Sequence, residues 1–430
     1  MAADGPPASA DAPPASSIDA PTPKADAPLA AADAAPGTAD APTATGWRAI
    51  PLPLDQSEAR VTGILCSSRD ACVISTDVFG DPGKVMAASD HAVGATLFDG
   101  ADAAAPAGVV VGSVGFQGID RTRNGVIARA DVSGAYISAA GDFTQAASWS
   151  VVEIGSVAGG IFGLNGQEAL QESADGEWLF INTDGYVYSA ASAPGAATAW
   201  TTLWSPNAQP PVPEDFPARY AADPTLCDSD VGTETVPRAT QNVYISPDLA
   251  LVVLPAGGLN QRGTAKPGVC ISTDRGKTFF QSPFAGLPDD TDNAGPMAVT
   301  CLDVNRCFAF NGLNFGGNAI YVYYTANASM GKASTWTRAT LPAGLPSAST
   351  IDPRFLFFAP DGMHGWLAGA NDGGPMLLRT TDGGHSFTDV TGSVRAVTSE
   401  RLHSGFALDA DHIWVGGENG ALLFTDTASH

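Results

Sequence analysis

The chain has 430 residues and a formal net charge of −24, with only 15% of its residues charged. Nucleic acids and anionic membrane surfaces are poor partners for such a chain, because both require clustered positive charge. No run of 18 apolar residues occurs, so we expect no membrane-spanning helix.

Residues 1–45 consist almost entirely of Ala, Pro, Asp, Ser and Thr. This composition cannot bury enough apolar surface to offset chain entropy, so we expect a disordered tether. The tether holds six Asp and one Lys, which leaves a net charge of −19 on residues 46–430. No basic and apolar secretion signal precedes it, so we expect a mature exported chain whose signal was replaced by an initiator Met. The native N-terminus is then a candidate for lipid attachment at the periplasmic or outer cell surface.

The six cysteines favour disulfides over a metal site. Two segments, "CSSRDAC" and "CLDVNRC", share one Cys spacing, and in each the second Cys begins a strand-like run. A disulfide that closes a short hairpin fits this spacing. Zinc binding is the alternative, but no C-x-x-C occurs and the six His are scattered. Three disulfides would place the protein in an oxidising compartment. The predicted pairs are Cys66–Cys72, Cys301–Cys307 and Cys227–Cys270.

Residues 46–430 repeat a β-rich unit. Helical periodicity is almost absent, while short β-branched or alternating runs are separated by Gly, Asn, Asp and Pro. The length allows one large closed β architecture or two ordinary domains. A repeat of about 45 residues favours propeller blades. The seven units contain residues 61–98, 126–153, 178–204, 243–284, 298–342, 355–391 and 405–427.

The seventh unit has only three strands, and the missing one is available near the other end of the sequence. The segment "GWRAIPLPL", residues 46–54, matches the outer strand "TWTRATLP" of the fifth unit, with Trp47 in the position of Trp336. A propeller closes its ring in this way and thereby removes free sheet edges. We therefore predict a seven-bladed β-propeller of four-stranded antiparallel blades, closed by its N-terminal strand.

A polar turn motif occurs twice, in "ISTDRGKTF" and "RTTDGGHSF". Recurrence favours a structural role, because one chain rarely needs the same active site twice. Gly supplies the positive φ of a tight turn, and the Asp side chain accepts backbone N–H bonds. The motif residues are Ser272, Asp274, Gly276 and Phe279, and then Thr380, Asp382, Gly384 and Phe387.

This motif resembles the Asp-box of sialidase-like and BNR-repeat propellers, in which it marks the turn between the two outer strands of a blade. The paired Cys and the strands "GWLAG" and "IWVGG" are similar to those of bacterial proteins related to the photosystem II assembly factor Ycf48. The resemblance covers about residues 46–428. Only two of the seven boxes are intact, and it does not imply a photosynthetic role.

Ligand binding is expected on the face where the turns between second and third strands converge. Carboxylates, amides and a few aromatic residues in these turns suit recognition of a protein or carbohydrate, although the same residue types also form ordinary turns. A Pro-rich insertion, residues 205–241, lies on the same face and is pinned by Cys227. The candidate ligand-binding residues are Asp77, Asp81, Asp184, Tyr186, Arg262, Asn314, Phe315, Asp372 and Glu418.

The favoured function is a non-catalytic binding or assembly scaffold without a cofactor or catalytic residues. The alternative is a secreted glycoside hydrolase that uses paired loop carboxylates. Sialidase activity is disfavoured, because no Arg-Ile-Pro signature occurs near the first unit. Calcium is a lesser option at Asp289, Asp290, Asp292 and Asn293, where a solvated acidic turn is the simpler interpretation.

Overall fold

The repeat units fold into seven antiparallel sheets, which form a seven-bladed β-propeller in the computed structural model and confirm the predicted fold. The structure describes residues 46–78, 82–102, 116–122, 125–130, 135–153, 156–157, 167–182, 186–195, 198–204, 227, 243–256, 268–285, 298–311, 320–345 and 351–428. The predicted tether, almost all of the insertion and the candidate calcium turn lie outside these residues.

Strands are given from the innermost to the outermost in each blade. Blade 1 comprises β2 (Arg60–Ser68), β3 (Ala71–Asp77), β4 (Lys84–Ala88) and β5 (Val93–Asp99). Blade 2 comprises β6 (Phe116–Arg121), β7 (Gly125–Ala130), β8 (Ala135–Ala140) and β9 (Trp149–Glu153). Blade 3 comprises β11 (Gln167–Glu172), β12 (Trp178–Asn182), β13 (Val187–Ala190) and β14 (Ala199–Trp204).

Blade 4 comprises β15 (Tyr244–Ile245), β16 (Val252–Ala256), β17 (Gly268–Ser272) and β18 (Phe280–Pro283). Blade 5 comprises β19 (Ala298–Cys301), β20 (Cys307–Phe310), β21 (Val322–Thr325) and β22 (Thr337–Arg338). Blade 6 comprises β23 (Ile351–Phe358), β24 (Gly365–Asn371), β25 (Gly374–Thr380) and β26 (Thr388–Asp389). Blade 7 comprises β27 (Leu402–Ala407), β28 (Ile413–Gly417), β29 (Leu422–Thr425) and β1 (Arg48–Ala49).

Helices are short in the described chain. One α-helix, α1 (Thr391–Arg395), connects blades 6 and 7. The 3-10 turns span Leu54–Gln56, Gly100–Asp102, Ala146–Ser148 and Ala328–Ala333. Blade 3 differs from the predicted four strands, because a short strand, β10 (Ser156–Val157), pairs in parallel with β14 and covers its outer edge.

The N-terminal strand closes the ring as predicted. Strand β1 pairs antiparallel with β29, with Arg48 opposite Phe424 and Ala49 opposite Leu423. Ile50 then donates its backbone N–H to the carbonyl of Leu422 and is 1% exposed. Blade 7 is therefore assembled from segments almost 380 residues apart, and its outermost strand, β1, is hydrogen-bonded to β29.

Burial is concentrated between blades. The buried apolar side chains of the described chain form seven clusters, one at each interface between neighbouring blades. Each blade thus contributes side chains to both neighbours, and the ring is stabilised by interfaces of similar kind.

The three predicted disulfides are present. Cys66 and Cys72 lie opposite each other in the β2–β3 hairpin, and Cys301 and Cys307 do so in the β19–β20 hairpin. The third bond joins Cys270 of β17 to residue 227, whose backbone N–H donates to the carbonyl of Phe279. The fold is thus consistent with an exported chain that matures in an oxidising environment.

Alternating strand direction gives the propeller two distinct faces. Turns between first and second strands, and between third and fourth strands, lie on one side, which we call the hairpin face. Turns between second and third strands, and connections between blades, lie on the other, which we call the loop face. The motif turns at Asp274 and Asp382 belong to the hairpin face.

The two motif turns have nearly identical hydrogen bonds. In each, the first hydroxyl donates to the Asp Oδ1 atom, at 2.7 Å from Ser272 to Asp274 and 2.8 Å from Thr380 to Asp382. The same hydroxyl accepts the Gly backbone N–H at 2.9 Å in both turns. Behind each turn an aromatic side chain is buried. The architectural role of these residues remains a prediction that mutation can test.

Candidate functional site

Five ionisable side chains meet at the loop face where blades 6, 7 and 1 adjoin, and we call them the mouth cluster. They are Arg60, Asp77, Arg354, His403 and Glu418. The two arginines and the histidine lie on the innermost strands of their blades, with Arg60 first in β2, His403 second in β27 and Arg354 fourth in β23. The innermost strands surround the propeller axis, so the cluster lies beside the mouth of the central channel.

His403 is the most buried member of the cluster. Its side chain is 8% exposed, and Nε2 lies 3.0 Å from Oε1 of Glu418. Burial lowers the pKa of His403 to about 4, assisted by the positive charges of Arg60 and Arg354 and opposed by the bond to Glu418. The imidazole is therefore neutral at pH 7, and its Nε2–H donates a hydrogen bond to the carboxylate of Glu418.

Arg60 and Asp77 form an ion pair within the mouth cluster. They are opposite residues of β2 and β3, so the sheet register itself brings their side chains together. Both carboxylates of the cluster are thus engaged by a basic partner. An arrangement of this kind presents oriented charges to a ligand rather than two carboxyl groups that act on one bond.

Other loop-face groups surround the cluster. Asn419 donates through Nδ2 to Oε2 of Glu400 at 2.7 Å, and Gly420 donates its backbone N–H to Ala59 at 2.7 Å. The second bond ties blade 7 to the connection that enters blade 1. On that connection Leu54 has 93% of its surface exposed, so the loop face also presents an apolar side chain.

Four of the nine predicted ligand-binding residues lie in the described chain. Asp77 and Glu418 belong to the mouth cluster, and Asp372 is an exposed turn residue with a φ of 51°. Tyr186 is 4% exposed and stacks on Tyr188, so its ring contributes to the interface between blades 2 and 3. The remaining five, Asp81, Asp184, Arg262, Asn314 and Phe315, lie outside the described residues.

Two buried asparagines at the ends of turns on this face accept backbone hydrogen bonds. Asn182 accepts the backbone N–H of Tyr186 at 2.8 Å, and Asn311 accepts that of Tyr321 at 2.8 Å. Asn182 is the last residue of β12 and Asn311 directly follows β20, and each binds a backbone N–H that lies shortly before the third strand of its blade. Their burial assigns them to the base of the loop rather than its surface.

Sequence reasoning missed the basic half of the mouth cluster. Arg60, Arg354 and His403 lie on innermost strands and so fall outside the turns between second and third strands in which the site was expected. A usable signal was present, because in "EARV", "DPRF" and "RLHS" a basic residue directly precedes or opens an apolar run at the start of a unit.

The acid of a glycosidase needs a raised pKa, which is the opposite of the direction found for the shifted carboxyl groups of the described chain. Every described carboxyl group whose pKa departs from its ordinary value has it lowered. Burial raises the pKa in each case, but hydrogen bonds to the ionised form outweigh it. These groups are Asp55, Asp90, Asp142, Asp175, Asp248, Asp303, Asp361, Asp382 and Asp409.

One group of described residues has ligand atoms close enough to hold a metal ion. Oxygen or nitrogen atoms of Asp70, Asp90 and His91 lie within 4.8 Å of one another. Arg69 already donates to Oδ2 of Asp90, from Nε at 2.8 Å, and a second guanidinium, that of Arg48, lies 3.4 Å from the same oxygen. With two guanidinium groups on its central carboxylate, the cluster is better explained as an ion-pair network than as a metal centre.

Comparison with known proteins identifies the fold. A Ycf48 bound to a D1 peptide is 15% identical over 89% of this chain and 98% of its own, with a TM-score of 0.49. Ycf48 from Cyanidioschyzon merolae is 13% identical over 88% and 98%, with a TM-score of 0.52. A xyloglucanase from Xanthomonas campestris is 12% identical over 90% of this chain and 54% of its own, with a TM-score of 0.50. No family model matches the chain, and no curated protein matches it by sequence.

The second and third of these likenesses agree with a seven-bladed β-propeller, and at identities of 12–13% they show the fold alone. The same fold supports a Ycf48 and a glycan-degrading enzyme, so function has to be argued from the site. In the described part of the chain, no helix has the length and hydropathy needed to cross a membrane.

Proposed function

We propose that the protein is a non-catalytic binding or assembly scaffold that recognises a protein or a glycan through the loop face of its propeller. The observation that carries this proposal is the mouth cluster, in which three successive blades place two guanidinium groups and a buried neutral imidazole beside the channel. Such preorganised polar groups lose little conformational freedom when a ligand binds.

The composition of this region favours association over chemistry. The carboxylates of Asp77 and Glu418 are each held by a basic neighbour, and Leu54 supplies an exposed apolar side chain on the same face. Protein interfaces commonly combine an apolar anchor with surrounding polar groups and arginine. The loop face therefore offers both specificity and apolar surface for a partner.

We further propose that the scaffold works in the periplasm or at the outer cell surface. Three disulfides fit an oxidising compartment. Residues 1–45 would then act as a tether, with a lipid anchor on the native N-terminus as one form of attachment. A polar tether of this length would allow the propeller to reach partners at a distance from the surface.

Site-specific photo-crosslinking in the native organism tests the proposal. A photoreactive residue at Leu54 reports on the loop face, and one at Met363, which is 46% exposed in a hairpin-face turn, serves as the matched control. We expect a discrete crosslinked species from position 54 that is absent from position 363. Mass spectrometry then identifies the partner, and Arg60→Ala should weaken its binding.

Crosslinks confined to position 363, or none at either position, would contradict the proposal. A glycosidase would instead release reducing sugar from xyloglucan or aryl glycosides. Activity that is lost in Glu418→Gln but retained in Met363→Ala would establish the enzymatic alternative.

A further inference from the structure

The turn between the third and fourth strands of blade 7 is shared by two distant segments. Thr425 ends β29, and Trp47 directly precedes β1. Since Phe424 is opposite Arg48, the register aligns Thr425 with Trp47. The same hydroxyl–aromatic relation occurs in intact turns of three other blades, at Ser272 and Phe279, Thr325 and Trp336, and Thr380 and Phe387.

The hydrogen bonds support this equivalence. Thr427 donates its backbone N–H to Oγ1 of Thr425 at 3.3 Å, as Asp382 does to Thr380 at 3.3 Å. Thr427 therefore takes the place of the motif carboxylate. Blade 7 thus carries a divided version of the motif, which we call the split turn and define as Gly46, Trp47, Thr425 and Thr427.

The aromatic residue of the split turn differs from its counterparts in exposure. Trp47 is half-buried and reaches the surface. Its counterparts in five other blades are almost completely covered: Trp149 is 7% exposed, Trp200 1%, Phe279 1%, Trp336 4% and Phe387 4%. Because the aromatic side chain at this position is buried in those five blades, the partial exposure of Trp47 is a feature specific to blade 7.

A cavity of about 670 Å³ lies against the split turn. Trp47 and Thr427 contribute from blade 7, Trp366 and Arg379 from blade 6, and Asp389 and Ser393 from the end of blade 6 and helix α1. In the interface between blades 5 and 6 the corresponding space is filled. There Gly384 packs so closely on Phe308 that a Cβ added to Gly384 would lie 2.3 Å from the Phe308 ring. Trp366 is the counterpart of Phe308 in the next blade.

We propose that this cavity, at the outer rim between blades 6 and 7, is a binding site for a saccharide. The indole of Trp47 offers an apolar wall for the C–H face of a sugar ring. Around it, Thr427 and Ser393 supply hydroxyl groups, Asp389 a carboxylate and Arg379 a guanidinium, which match the hydroxyl edge of a sugar. Its volume is within the range of small-ligand pockets, about 300–1,000 Å³.

The site is separate from the loop-face mouth, so it can be tested independently of the proposed scaffold function. The probes are cellotriose, chitotriose and maltotriose, and the measurement is saturation-transfer NMR on the purified full chain. We expect at least one of them to bind with a dissociation constant of about 1 mM or lower. Trp47→Ala should weaken binding by about tenfold or more, and Asp389→Asn and Thr427→Val by about threefold each.

Met330→Ala, at a residue that is 60% exposed in the hairpin-face turn of blade 5, is the matched control and should leave saccharide affinity unchanged. Thermal melting checks that each variant folds. If Trp47→Ala does not fold, Asp389→Asn decides the question, since its remaining oxygen can still accept the N–H of Thr391, which Oδ1 now accepts at 2.9 Å. The proposal is overturned if none of the three probes shows transfer, or if transfer is unaffected by the folded cavity variants.

Discussion

Arg48 is predicted to fasten the closing strand to the neighbouring blade. It lies on β1 of blade 7, yet its Nε and Nη2 atoms donate to the carbonyl of Asp90 in blade 1 at 3.2 and 3.1 Å. Its guanidinium also lies 4.5 Å from the centre of the Phe424 ring. Arg48→Ala removes these contacts across the seam while Arg69 continues to neutralise Asp90.

The magnitude follows from these contacts. Hydrogen bonds from a charged group contribute about 1.5–3 kcal/mol when buried, and a cation–π contact at a partly exposed site about 0.5–1 kcal/mol. Because the Arg48 side chain is 33% exposed, we expect a total loss of about 2–3 kcal/mol. With an unfolding entropy of about 2.1 cal/mol/K per residue, the melting temperature falls by about 3 °C for a folded region of about 385 residues.

Differential scanning calorimetry measures this shift, and Arg338→Ala provides the matched control. Arg338 also lies on an outer strand, but it makes its described bond within its own blade, to the carbonyl of Ile320 at 3.3 Å. Its removal should cost about 1 kcal/mol or less. Equal losses for the two variants would refute the reasoning that Arg48 acts at the seam.

The remaining predictions concern closure, the motif turns and pH. Deletion of residues 46–54 should lower the melting temperature far more than deletion of residues 1–44, and equal melting temperatures would count against ring closure. Asp382→Ala should lower the free energy of unfolding by about 2 kcal/mol and Asp274→Ala by about 1 kcal/mol. The difference is expected because Asp382 also accepts the Ser386 hydroxyl at 2.6 Å and is less exposed. A loss of ligand binding without any loss of stability would contradict the structural role. His403 has a lowered pKa in the folded chain, so folding is penalised progressively as the pH falls from about 6.5 to about 4. The denaturation midpoint of His403→Gln should change less with pH than that of wild type between about pH 6.5 and pH 4. Equal pH dependence of the two proteins would show that His403 does not titrate in this way.

Much of the fold was readable from the sequence, because its signals are local and repeated. The seven units, the paired cysteines and the match of "GWRAIPLPL" to an outer strand each depend on spacing within a few residues. Strand β10 was missed, since a two-residue strand in a connection has no periodicity to detect. The split turn was missed because its two halves are separated by almost the whole sequence, and only register places Thr425 beside Trp47.

The candidate site was less predictable. Turn residues such as Asp77 and Glu418 could be placed on the correct face, because that follows from strand order. Their partners Arg60 and His403 come from the innermost strand of the same blade, so which side chains meet depends on the register between the first and second strands. Asn182 and Asn311 show the opposite problem, since a residue type suited to ligand binding here serves the backbone of its own loop.

The most direct test of the central claim, recognition through the loop face, is the affinity of the crosslinked partner for matched surface variants. Isothermal titration calorimetry with the purified partner compares wild type with Leu54→Ala and Arg60→Ala on the loop face and with Met330→Ala and Met363→Ala on the hairpin face. We predict that each loop-face change weakens binding by about tenfold, or about 1.4 kcal/mol, while the hairpin-face changes leave it within about twofold. Unchanged affinity in both loop-face variants, or a loss confined to the hairpin face, would contradict the account.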